Sequence, residues 1–92
     1  MKILTPVFST GHLYVTPSVI RQVKPVELFA ALERHEHGDW GIVDEADKLA
    51  NEEALIQGTR ILSVYSDSKY QTFWIITEAD RSATTILLPE EY

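Results

Sequence analysis

Hydrophobic and polar positions alternate differently in the two halves of this chain. After Gly58 the apolar residues come in short runs parted by polar clusters, the pattern of strands joined by tight turns. Ile61 to Ser66, Thr72 to Glu78 and Thr84 to Leu88 read as three antiparallel strands. Asp67-Ser68-Lys69 and the stretch Ala79 to Ala83 supply the turns, and Pro89 stops the last strand. Phe73-Trp74-Ile75-Ile76 is apolar on both of its faces, which predicts a central strand shielded above and below. The terminal aromatic, Tyr92, is expected to fold back on this sheet.

The first half carries helical signals. Thr16-Pro17 pairs a capping hydroxyl with proline at the first helical position and predicts a short helix, Pro17 to Val23. Lys24-Pro25 interrupts it, because a residue before proline avoids the α region. A second helix restarts at Pro25 with Leu28, Phe29 and Leu32 expected on its inner face and Gly38 as its C-cap. Asp44 is placed to cap a third, with Glu45 and Asp47 favourable to its dipole. Ala46, Leu49, Ala50, Ala54 and Leu55 or Ile56 are expected to face inward, and Gly58 ends it. Ahead of all these, Ile3 to Phe8 and His12 to Val15 are short β-prone pieces around the turn Ser9-Thr10-Gly11, forming a hairpin or an edge. Pro6 suits an edge.

These elements predict one α+β domain over residues 1–92: N-terminal helices packed on a three- to four-stranded antiparallel sheet that ends in a C-terminal meander. Helices cover one face of the middle strand. The other face needs the N-terminal segment or a second copy of the chain, so a homodimer is expected.

Composition narrows the function. With 92 residues there is no room for separate cofactor and substrate domains. Absence of cysteine excludes disulfides, thiolate metal sites and a cysteine nucleophile, and fits a cytoplasmic address. Eight Lys and Arg against fourteen Asp and Glu give a net charge of −6, which disfavours nucleic-acid binding and suits contact with another protein. No apolar run approaches a membrane span, and no signal-peptide core is present. The four glycines are too scattered for a phosphate loop, so no cofactor is expected.

Two clusters carry candidate chemistry. His35-Glu36-His37-Gly38-Asp39 gathers potential acid, base and ligand groups, yet histidines two apart on a helix point about 200° from each other, so no metal site is expected. His near a helix C-terminus also simply suits the dipole. The turn Glu78-Ala79-Asp80-Arg81-Ser82, with Thr84 and Thr85 beside it, places a base and a phosphate clamp at strand ends. Together these give one enzymatic option, a small metal-independent ribonuclease with His35 or His37 as acid, Glu78 as base and Arg81 as clamp. Turn chemistry alone also accounts for Asp80, Ser82 and Arg81. The non-enzymatic option uses the Asp39–Trp40 turn, or Asp80, Ser82 and Thr84, as a surface for another protein; Trp40 between glycines is either a hot spot or an internal anchor. An antirestriction-like or antitoxin-like acidic decoy is a third option.

The segments His37 to Gly41, Asn51-Glu52, Gly58 to Tyr65 and above all Trp74 to Tyr92 resemble a family of small bacterial proteins called plasmid-related proteins, sometimes labelled type I restriction methylase subunits. The resemblance covers roughly the C-terminal two-thirds. It implies a bacterial, cytoplasmic, often mobile-element-borne accessory protein, and it brings no catalytic residue with it. The chain is too short for the methyltransferase and lacks its Asn-Pro-Pro-aromatic motif. The order of helices followed by antiparallel strands is also similar, in architecture only, to ribonuclease toxins of the barnase or RelE type, which are usually basic.

Overall fold

The computed structural model describes residues 5–92, so the expectation for Ile3 and Leu4 lies outside the described residues. Three helices and a four-stranded sheet make up the α+β fold. In chain order they are β1 (His12–Val15), α1 (Pro17–Gln22), α2 (Pro25–Glu36), α3 (Glu45–Gln57), β2 (Ile61–Ser66), β3 (Thr72–Thr77) and β4 (Ala83–Leu87), followed by a 3₁₀ turn at Pro89–Glu91. The strand order is β1-β4-β3-β2. β2, β3 and β4 pair antiparallel as consecutive neighbours, with Ser63 opposite Ile75 and Ile75 opposite Ile86. β1 lies parallel to β4, so the sheet is mixed rather than wholly antiparallel and its full order is not a meander. Residues 5–10 form no hairpin with β1.

The helix signals act as their chemistry requires. Thr16 Oγ1 accepts from Val19 N at 3.3 Å to open α1, and Asp44 Oδ1 accepts from Asp47 N at 2.8 Å to open α3. Gly58 closes α3 in the left-handed region, at φ 73°. Proline at the first position opens both α1 and α2.

The core forms between α1, α2 and one sheet face. Val19, Val23, Leu28 and Ala31 from the helices meet Tyr65, Phe73, Ile75 and Ile86 from the strands. On α2 the buried positions are Leu28, Ala31 and His35, a single helical stripe. Phe29, one step off that stripe, is exposed rather than inward. α3 departs further from expectation. Its buried residues are Asn51 and Ala54, while Ala46, Leu49, Ala50, Leu55 and Ile56 are exposed. α3 lies along the β2 edge instead of over the sheet, so it has one narrow contact line.

β3 is central as expected. Its Phe73 and Ile75 are sealed beneath the helices. On the opposite face Ile76 and Leu87 are buried, while Trp74 stays half-buried and meets the Tyr92 ring edge-on at 5.5 Å. Arg60 stacks over that same tyrosine at 5.3 Å. Among the described residues, His12 to Val15 extend the sheet as β1.

Candidate interaction site

The sheet has two outer edges, and they are finished differently. Along β2, Leu62 and Val64 turn their backbone groups away from β3. Asn51 Nδ2 donates to Leu62 O at 2.7 Å, and Leu62 N donates to Asn51 Oδ1 at 3.1 Å. Val64 N donates to Trp40 O at 3.0 Å, and Ile42 N donates to Val64 O at 2.7 Å. Four main-chain groups that would recruit a foreign strand are thus occupied from within. Gly41 makes this close approach possible, since a Cβ there would run into the Val64 carbonyl and the Tyr65 ring, and its φ is 75°.

Among the described residues, β1 is paired on one side only. His12 N donates to Ser82 O at 2.9 Å and Thr16 N to Ile86 O at 3.1 Å, so the parallel ladder uses residues 12, 14 and 16. The N–H and C=O groups of Leu13 and Val15 consequently face away from β4, and among the described residues no strand lies beyond β1. Beside this edge runs a groove of about 180 Å³, walled by Leu13, Val15, Ile20, Val23, Pro25, Leu28, Phe29, Leu32 and Ile86. Every one of those side chains is apolar. Ile20 is 62% exposed, Phe29 66% and Leu13 41%, so the groove opens to solvent at its rim.

The residues singled out by sequence are placed elsewhere. His35 is fully buried, at 0% exposure, between α2 and the sheet. Its Nδ1 lies 2.6 Å from Ser63 Oγ and its Nε2 2.8 Å from Thr77 Oγ1. Counting hydroxyl hydrogens fixes the ring. Thr84 Oγ1 donates to Thr10 O at 2.7 Å, so Thr77 must donate its only hydrogen to Thr84, 2.7 Å away. Thr77 then accepts from His35, which carries its proton on Nε2, and Ser63 donates to Nδ1. Burial, helped by the Arg81 charge, lowers the His35 pKa to about 4 and keeps the ring neutral.

Arg81 is spent on backbone. Its guanidinium donates to Thr59 O at 2.6 Å, Ala54 O at 2.9 Å, Glu78 O at 3.0 Å and Ala79 O at 3.2 Å, tying the end of α3 to the β3–β4 turn. It also lies 5.7 Å from the Phe8 ring, which meets His35 edge-on at 5.1 Å. Phe8 thus touches both groups and fills the space between α2 and the turn. Glu78 is exposed, and the turn closes through Glu78 N donating to Ala83 O at 2.9 Å. His37 Nδ1 donates to Glu33 O at 2.7 Å within α2. The four proposed catalytic groups are therefore not gathered around a cleft. A general acid must come within hydrogen-bond reach of substrate, and His35, sealed with both nitrogens engaged, does not.

Of the proposed binding residues, Trp40 and Thr84 are buried, whereas Asp39, Asp80 and Ser82 are exposed and engaged in local hydrogen bonds. Trp40 is 3% exposed, packs with Ala54 and Ile61, and donates Nε1–H to Glu52 Oε2 at 2.9 Å, so it is the anchor and not a surface hot spot. Asp39 accepts from Arg34 Nε at 2.8 Å, and this arginine holds its pKa below the usual carboxylate range. Tyr65 O–H donates to Asp39 O at 2.6 Å. Asp80 Oδ1 caps its own turn by accepting from Ser82 N at 3.0 Å, and Thr84 is buried in the His35 network. Among the described residues no group of three His, Asp or Glu side chains is positioned to hold a metal ion, and no helix is long and apolar enough to cross a membrane.

Sequence reasoning missed the groove. A signal was present: Phe29 follows Leu28 directly, and two adjacent helical residues point about 100° apart, so a helix lying on a sheet buries one of them more deeply. Compared with known proteins, the chain matches no family model, no curated sequence and no solved structure.

Proposed function

We propose that this protein is a non-enzymatic interaction module, a small cytoplasmic bacterial accessory protein of the plasmid-related kind, that binds an extended segment of a partner protein as an added strand on β1. The observation that carries this reading is the contrast between the two sheet edges. Internal groups complete β2, whereas β1 keeps the outward backbone groups of Leu13 and Val15 beside an apolar groove. Main-chain pairing supplies registration and the groove supplies side-chain pockets, the two parts of strand addition. β1 has four residues, so pairing alone is weak and the exposed rim of Ile20 and Phe29 has to contribute. The acidic chain disfavours a nucleic-acid ligand.

Selection of peptides from a displayed random library tests this reading. Enriched peptides are expected to lose binding by roughly tenfold or more in Leu13→Pro, which removes an outward N–H, and in Phe29→Asp. Ile56→Asp, on the far exposed side of α3, is expected to leave binding unchanged. Amide spectra of each variant check that the fold persists. Peptides that bind all three variants equally would overturn the reading. Concentration-dependent dimerisation lost in Leu13→Pro would make a second copy the occupant of the edge instead.

A further inference from the structure

The charge along this chain is segregated. None of the fourteen acidic residues precedes Glu27, whereas Arg21 and Lys24 fall within that first stretch. In the fold the segregation becomes a gradient along the groove. Arg21 and Lys24, both exposed, flank the groove residues Ile20, Val23 and Pro25, at the end where β1 leads into α1. α2 begins there and runs back to Glu36, whose carbonyl accepts from Val7 N at 2.8 Å, just ahead of β1. Glu33 and Glu36 therefore mark the opposite end. Glu91 accepts from Thr16 Oγ1 and Leu88 N, each at 2.8 Å, and offsets part of the Arg21 charge, while Glu27 in the first turn of α2 is turned to Ser68, so this end is close to neutral where the Glu33 and Glu36 end is negative. The amino end of α2 adds partial positive charge beside Lys24.

Resting on the strand-addition reading, we infer that the β1 groove takes an extended apolar segment tipped with carboxylates, its acidic end seated against Arg21 and Lys24. Alternate apolar side chains of the segment enter between Leu13, Ile20 and Phe29. Carboxylates at the other end would face Glu33 and Glu36, so the gradient sets direction as well as composition. A segment of uniform charge would gain nothing from it.

Three blocked synthetic peptides test this, each with the same alternating Val-Thr-Ile-Thr-Val centre: one carrying two Glu at its amino end, one carrying them at its carboxyl end, and one with Gln in place of Glu. Binding is read from backbone amide shifts in titrations up to millimolar peptide. One of the two Glu peptides is expected to bind roughly fivefold more tightly than the Gln peptide and to lose that advantage as salt rises from low to about 0.3 M. Arg21→Gln with Lys24→Gln is expected to abolish the advantage while leaving Gln-peptide binding intact. Equal affinity for all three peptides, with shifts at β1, would overturn the charge inference and leave strand addition standing. No shift at β1 with any peptide would overturn both.

Discussion

Acidification should destabilise this protein through His35. The imidazole has a folded-state pKa of about 4, against 6.5 in the open chain. Between those values the unfolded state binds more protons, so stability rises with pH there. The contribution is fully present above 6.5 and is lost as pH falls toward 4. At about 1.4 kcal/mol per pKa unit the full gap corresponds to about 3 kcal/mol, of which about 2 kcal/mol is gone by pH 5. The structural cause is specific. Protonating Nδ1 turns its acceptor position into a donor facing Ser63 Oγ, and Ser63 then has to withdraw the hydrogen it gives to the ring. The new charge also sits near Arg81. Urea denaturation of the wild type and His35→Gln from pH 7.5 to 4.5 measures the effect. His35→Gln keeps a donor for Thr77 and removes the His35 titration. The stability difference between the two should shrink as pH falls. A difference constant within about 0.5 kcal/mol over that range, or an imidazole resonance of His35 titrating near pH 6.5, would refute the reasoning.

Substitutions at three positions probe the ties around the sheet. Arg81 has φ 62° and donates to four carbonyls, so Arg81→Ala should cost about 2–3 kcal/mol in thermal or urea unfolding, and Arg81→Gly about 1 kcal/mol less because the left-handed backbone is relieved. Equal losses in the two variants would show that backbone strain is not part of the balance. Asn51→Ala should cost about 2–3 kcal/mol and speed exchange of the Leu62 amide, since both Leu62 backbone groups lose their partner. An unchanged Leu62 exchange rate would argue against edge capping. Gly41→Ala places a Cβ against the Val64 carbonyl in an unfavourable backbone region and should cost more than about 2 kcal/mol, read as a lowered urea midpoint.

How far the fold was legible depends on how local its causes are. The three C-terminal strands were readable because Phe73 to Ile76 and the turns around Asp67 and Asp80 carry their own signals: β-branched or aromatic runs and carboxylates that cap turn amides. The caps at Thr16, Asp44 and Gly58 are equally local. The parallel placement of β1 was not readable, because nothing within His12 to Val15 specifies a partner seventy residues away. α3 misled for a related reason. Its apolar residues suggested an inner face, but its attachment is made by the polar Asn51, whose amide matches a strand edge that a linear pattern does not reveal. His35 was singled out as chemistry, although Leu28, Ala31 and His35 stand at i, i+3 and i+7, so the same periodicity that marked Leu28 as core already ran through it. Arg81 and Thr84 looked functional because turn polarity and site polarity have the same composition.

The polar residues mark the parts of the fold that directional bonds already hold. Asn51, Trp40 and Arg81 tie elements across the β2 side and the β3–β4 turn, and the chain from Ser63 through His35, Thr77 and Thr84 to Thr10 crosses the sheet on its helix-covered face. Each consumes backbone or hydroxyl groups that would otherwise attract another chain, and each is directional, so those regions hold one geometry. The groove beside β1 is built from nondirectional contacts, chiefly Val15, Val23, Leu28 and Leu32. Apolar packing tolerates a new neighbour of suitable shape, since adding area costs no existing hydrogen bond. Adding a strand outside β1 would therefore break no hydrogen bond among the described residues, whereas adding one at β2 would first require breaking the bonds of Asn51, Trp40 and Ile42.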